Sequence, residues 1–242
     1  GTVWDLYRRL LPAEKVRRAE SLRVEALVPT AASAVVYLLV RADVVPADAL
    51  PVEMFAPHPD QLADDEITAY VMSLDDPTLC PPGTHAFTVV GPCFDSLSLL
   101  DARGYLRLKR KLARRFLGVL ERRYPGIGQA VLHCEVATPA TIARFAGKYH
   151  GAVAGPKQMM GQHMLKRQHT RTRWPGLYCC GESTVMGTGT PTVTISGIAA
   201  ANAVLKECGK EPFAWRPGMP DYVRDVPRGF DVVPHIAQGA QD

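Results

Sequence analysis

The chain has no hydrophobic run long enough to cross a bilayer: its longest, at residues 31–40, is half the roughly 20 apolar residues of a spanning helix. No secretory or transit segment opens it, and the first residues read as chain from the middle of a domain. Cysteine is sparse and unpatterned. The six residues at 80, 93, 134, 179, 180 and 208 form no C-x-x-C pair, which excludes a zinc finger or ribbon. Adjacent Cys179 and Cys180 are expected as small buried residues on opposite faces of a strand, in a reducing compartment. Charge of one sign is also scarce. A net charge of +4 is too mild and too unpatterned to mark a nucleic-acid surface, so no nucleic acid is expected as partner. His150, His163 and His169 have neither an i, i+4 spacing nor nearby carboxylates, and no metal site is expected. Ser183 has no plausible His and acid order in a G-x-S-x-G elbow, which argues against a serine hydrolase. No catalytic acid–base pair stands out anywhere.

What is present suits a globular protein with a real core: 47% hydrophobic and 21% charged residues in 242. "SAVVYLLVRADV" (33–44) is rich in the β-branched and aromatic residues of a buried strand, and "ITAYVMSLDD" and "HAFTVVGPC" are two more strand-like runs. Between these two, Pro81-Pro82-Gly83 is turn chemistry. They imply a mixed or antiparallel sheet. In "YLRLKRKLARRFLGVLERRYPGIG", Leu108, Leu112, Phe116 and Leu120 fall on one helical stripe, Arg and Lys fill the other faces, and Pro125-Gly126 ends the element. A solvated basic face is the plain reading of helix 105–124; peripheral contact with an anionic membrane is the other. "QAVLHCEVATPATIARF" reads as a strand followed by a helix with Thr138 as N-cap and Pro139 first inside. Strands and helices alternate, so the fold class is α/β or α+β. Three regions are expected: 1–150 as sheet and helices, 151–208 as a second segment, and 209–242 as an extended tail with five Pro and four Gly.

The densest stretch is "GLYCCGESTVMGTGTPTVTISGIAAAN", residues 176–202. A turn at Pro175-Gly176 leads to a short buried strand at 177–180, and Gly181-Glu182 puts a carboxylate at the strand end, where open α/β sheets bind ligands. Such a carboxylate accepts hydrogen bonds from sugar or polyol hydroxyls. The turn Gly187-Thr188-Gly189-Thr190-Pro191 then opens a helix small and apolar enough to pack closely under a sheet. Its N-terminus offers unpaired N–H groups to negative charge. Gly187-x-Gly189 imitates half of a dinucleotide fingerprint, but Thr192 stands at the third glycine and Glu207 at a helix end. Gly126-Ile-Gly128 fails in the same way, so no G-x-G-x-x-G is present.

"GLYCCGES...GTGTP...ISGIAAAN" resembles the C-terminal flavin-binding segment of the phytoene desaturase, carotenoid isomerase and retinol saturase family of FAD-dependent oxidoreductases. "SLDDPTLCPPGTHAFTVV", "YLRLKRKLARRFLGVLERRYPGI" and "ATPATIARFAGKYHGAVAG" are similar, in order, to that family's substrate-domain strands, its long helix and its return to the cofactor domain. The resemblance covers residues 5–208 and lies nearest carotenoid isomerases. It implies a substrate-domain sheet plus the last strand and helix of a Rossmann-type cofactor domain, with the N-terminal Rossmann unit missing.

The same resemblance implies an FAD site. Glu182 would accept from ribityl or phosphate-proximal hydroxyls, and Gly181, Gly187 and Gly189 would let backbone approach the flavin. The helix start at Thr190, Pro191, Thr192 and Val193 would face the pyrimidine end of the ring. Met186, Thr192 and Cys180 depart from the family's usual residues. Met159, Met160 and Met164 would line an apolar polyene tunnel or fill core. The implied activity is a polyene oxidoreductase or isomerase, in a plastid, with the dinucleotide half supplied by a second chain or a further segment. A protein partner covering that half or an exposed sheet edge is expected. The alternative is a non-catalytic structural subunit of a larger assembly.

Overall fold

The computed structural model describes residues 1–57, 66–95 and 101–217. Five strands form one sheet: β1 (Ser33–Arg41), β2 (Val52–Phe55), β3 (Ile67–Tyr70), β4 (Thr84–Pro92) and β5 (Val131–Ala137), in the order β2-β3-β4-β1-β5. Every pairing is antiparallel, so of the two sheet types expected the antiparallel one is realised. Among the described residues six α-helical segments accompany it: α1 (Val3–Asp5), α2 (Arg18–Glu25), α3 (Ala102–Leu120), α4 (Ile127–Ala130), α5 (Pro139–Ala146) and α6 (Thr190–Glu207).

The sheet alternates because its two faces differ. Along β1, Ala34, Val36, Leu38 and Val40 are buried, while Tyr37 and Arg41 on the opposite face are exposed. The buried face meets the expected stripe of α3, where Leu108, Leu112, Phe116 and Leu120 all lie in the core. Gly91 makes that seat possible. A Cβ there would lie 2.7 Å from both Ile67 Cγ2 and Phe116 Cζ, so the ring reaches the sheet only because glycine has no side chain. Burying a side chain of this size contributes roughly 1.5–3 kcal/mol. The basic face of α3 turns to solvent at Arg107, Arg110 and Arg114. Other cations there are engaged: Lys111 pairs with Asp95 at 2.6 Å, and Arg123 reaches Asp48 and Glu53.

The α3 N-cap is Asp101, which accepts from the Gly104 amide at 2.6 Å. Thr138 caps α5 as expected, with Pro139 in the first turn and Gly147 ending the helix in the left-handed region. Among the described strands β2 and β5 are the edges, and β5 is exposed along His133, Cys134 and Glu135.

A second buried cluster holds Val3, Trp4, Tyr7 and Val24 against Tyr149 and Trp174. Trp4 stacks on Tyr149 with ring centroids 4.6 Å apart. The N-terminal segment therefore packs against residues far along the chain. Between α2 and β1 the chain pairs with residues 155–157. The Thr30 amide donates to Gly155 O at 2.9 Å and the Lys157 amide to Val28 O at 2.8 Å. No described helix is long and apolar enough to cross a membrane. Residues 209–217 carry no regular structure, and 218–242, the rest of the expected tail, lie outside the described residues.

Candidate functional site

The turn at 181–186 connects to α6 through two hydroxyls and one amide. Ser196, buried on α6, accepts the Gly181 amide at 3.0 Å and lies 2.8 Å from Thr184 Oγ1. Thr184 Oγ1 also donates to Gly181 O at 2.6 Å, and the Gly187 amide donates to Thr184 O at 2.9 Å. The turn is thus fastened to the second turn of the helix before Gly187 and Gly189 release the chain into it. Both glycines have positive φ, +80° and +113°, and Gly181 is at +96°. A Cβ at Gly181 would meet nothing within 4 Å, so the space beside it is open. At Gly187 the space is taken by Gln158, whose Nε2 would lie 2.1 Å from an added Cβ.

Arg167 holds this turn from behind. It is 2% exposed, donating from Nε to Thr184 O at 2.8 Å, from Nη1 to Pro156 O at 2.6 Å, and from Nη2 to Glu182 O. Burial pushes its pKa down, with the Glu182 carboxylate acting the other way. One guanidinium therefore ties the crossing segment at 156 to the turn at 182–184.

Glu182 points its carboxylate inward, 15% exposed, with Lys148 Nζ against Oε1. The contact is an ion pair, and the Lys148 ammonium is the partner of this buried oxygen. An acceptor of this kind is chemically suited to a hydroxyl. At the helix start, Pro191 has no N–H and Val193 spends its amide on Gly189 O at 2.9 Å. The amides of Thr190 and Thr192 are those the helix leaves without an internal acceptor. Thr192 Oγ1 turns back to Gly189 O at 2.8 Å. The candidate residues Gly181, Glu182, Gly187, Gly189, Thr190, Pro191, Thr192 and Val193 lie along one stretch, the turn and the first turn of α6. Within it, Val193 presents no free amide.

Two expectations around this stretch need correction. Residues 177–180 form no strand: Tyr178 makes a single bridge to Arg171, the Cys179 amide donates to Thr170 O at 2.8 Å, and Cys180 is exposed. No described strand extends alongside them to build a ladder. For the same reason α6 does not lie under a sheet. Only Ser196 and Ala203 are buried on it, while Ile195, Ile198 and Val204 face solvent. A cleft of about 580 Å³ follows this helix, lined by Leu165, Arg171, Met186, Ile195, Ala199 and Ala203 among others. Past α6, Asn202 exchanges two hydrogen bonds with the backbone of Phe213, at 2.8 and 2.7 Å, so residues 209–213 double back along the helix.

Met159, Met160 and Met164 are not core. They line a separate cleft of about 340 Å³ with Gln158 and His163. Among the described residues no group of three or more His, Cys, Asp or Glu is placed to hold a metal ion.

A family model described as flavin containing amine oxidoreductase matches residues 5–205. The chain belongs to that family. Flavin is the cofactor this family description names, and an α+β chain with an antiparallel sheet fits part of its fold. The chain is 27% identical over 226 residues to the chloroplastic prolycopene isomerase of Arabidopsis thaliana, covering 87% of this chain and 36% of that protein. It is 30% identical over 151 residues to the phytoene desaturase (lycopene-forming) of Pseudescherichia vulneris, covering 60% of this chain and 30% of the relative. The phytoene dehydrogenase of Streptomyces griseus is 33% identical over 132 residues, 53% of this chain and 26% of that one. The chain spans about a third of the length of the curated relatives it matches.

The groups on this stretch are of a kind that suits one part of a flavin nucleotide. A buried acceptor at Glu182 suits the polyol chain, open backbone beside Gly181 admits close approach, and a helix start suits negative charge on a ring. For a pyrophosphate the chain has no G-x-G-x-x-G. Ser196, Arg167 and Lys148 went unassigned in the sequence because their partners are backbone groups or residues distant in the chain. The spacing of Gly181 and Ser196, which falls in the second turn of the helix after the glycine turn, is the signal the sequence offers.

Proposed function

We propose that this chain forms one wall of the FAD site of a carotenoid isomerase- or desaturase-like oxidoreductase acting on a polyene. The observation that carries the reading is the inward-turned Glu182 carboxylate, ion-paired with Lys148, on a turn that opens into the α6 N-terminus. Bound flavin would supply the redox chemistry. The chain's own part is positional. Glu182 accepts from the polyol, and the Thr190 and Thr192 amides with the helix dipole stabilise negative charge at the ring. Ser196 and Arg167 hold the turn in register, so little ordering remains to be done on binding. The likeness to prolycopene isomerases supports the polyene, and their chloroplastic naming supports a plastid location.

The pyrophosphate half is then supplied by residues beyond this sequence, in the same or another polypeptide. The protein co-purified with whatever carries a dinucleotide-binding βαβ unit is expected to show flavin absorbance. In it, Glu182→Gln should weaken FAD binding by up to about tenfold, one charge-assisted hydrogen bond. A complex that holds flavin with unchanged affinity in that variant would remove Glu182 from the site. A flavin-free complex would favour the second reading, a structural subunit, which draws on the solvent-facing Ile195, Ile198 and Val204 of α6.

A further inference from the structure

We propose that residues 159–164, "MMGQHM", bind a soft monovalent metal ion such as copper(I), through the thioethers of Met159, Met160 and Met164 and the imidazole of His163. The backbone builds this loop as a reverse turn. The Gln162 amide donates to Met159 O at 3.1 Å, and Gly161 between them takes φ +86°, open to glycine and strained for other residues. The turn brings His163 back over Met159, with Nδ1 3.0 Å from the Met159 carbonyl. A carbonyl only accepts, so Nδ1 is the donor of this contact, and in that tautomer Nε2 is the acceptor nitrogen. A histidine whose second nitrogen is held by a backbone carbonyl is in the state that metal-binding imidazoles adopt.

The loop is pinned where no ligand is needed. Gln162 is 7% exposed, and its side chain accepts from the Val28 amide at 2.9 Å while donating to Val28 O at 2.7 Å and Lys157 O at 2.8 Å. The donors themselves stay outside: Met160 is 87% and Met164 61% exposed, and all four candidate ligands line the one cleft of about 340 Å³. Packing does not account for thioethers left in water. Met164 also holds a left-handed backbone, φ +50°, which a residue without local need for it avoids. Three thioethers and an imidazole, with no carboxylate lining the cleft, select a soft ion over zinc, calcium or magnesium. A polyene would meet the methyl groups of the same cleft, whereas a metal uses the sulfur lone pairs. This proposal stands apart from the flavin reading.

Silver(I) is the probe, redox-inert, added to the whole chain after alkylation of its accessible thiols. With methionine methyl groups labelled with carbon-13, equimolar silver nitrate is expected to shift the signals of Met159, Met160 and Met164 and leave Met54, Met72 and Met186 in place. His163→Phe should lower silver affinity about tenfold or more. Replacing all three methionines with leucine should abolish binding while the thermal melt stays near that of the parent, since the exchange conserves volume. Unmoved methyl signals, or unchanged silver affinity in either variant, would overturn the proposal.

Discussion

Replacing Arg167 with methionine tests the claim that one buried guanidinium joins the crossing segment to the site turn. Methionine fills much of the same volume without donors. Three carbonyls lose a partner, but not equally. Thr184 O keeps the Gly187 amide at 2.9 Å, whereas Pro156 O and Glu182 O have no other donor among the described contacts. Two stranded buried acceptors cost roughly 1–3 kcal/mol each. Against this, the variant is relieved of desolvating a cation, the same penalty that lowers the Arg167 pKa. The net expectation is a loss of about 3 kcal/mol, or a fall of about 6–12 °C in melting temperature for a chain of this size. Urea titration followed by tryptophan fluorescence reads it well, because Trp4 and Trp174 sit in the adjoining cluster. Arg167→Lys should recover less than half, since one ammonium cannot reproduce the fork. A loss below about 1 kcal/mol in the methionine variant would refute the reasoning and make Arg167 a tolerated burial rather than a tie.

Glu53 tests the sheet side. Burial raises its pKa, but hydrogen bonds from the Tyr124 hydroxyl at 2.7 Å and from Arg123 outweigh that and hold it below the ordinary glutamate value. A depressed folded-state pKa contributes stability above the unfolded value of about 4.3 that is lost as pH falls through the folded one. Thermal melts of Glu53→Gln should therefore be lower than the parent's at neutral pH and converge with it in acid; parallel curves would contradict this. Gly91→Ala places a methyl 2.7 Å from Phe116 Cζ and Ile67 Cγ2, and denaturant titration should show a loss of about 1–3 kcal/mol. An unchanged midpoint there would mean that α3 slides freely on the sheet.

Much of the fold could be read along the chain where a pattern is local. The α3 stripe, the Thr138 cap and the β1 and β4 runs follow from periodicity and capping, which depend on residues three or four apart. The family resemblance rests on the same kind of signal, four ordered stretches of which 176–202 is the densest. Residues 177–180 had a strand's composition, yet strandhood requires a neighbour, and the sequence does not say whether one is in place. The same dependence decided that α6 would leave its apolar residues in solvent.

Composition and short spacings thus determined the elements, the glycine turn and the family. Tertiary structure decided which distant groups met. It set Arg167 between residues 156 and 184, Ser196 under Gly181, Lys148 against Glu182, and a pinned Gln162 behind three exposed methionines. The physical reason is that each of these contacts joins a side chain to a backbone group or charge placed by other elements. Local pattern carries no record of where a carbonyl will point once the chain has crossed itself.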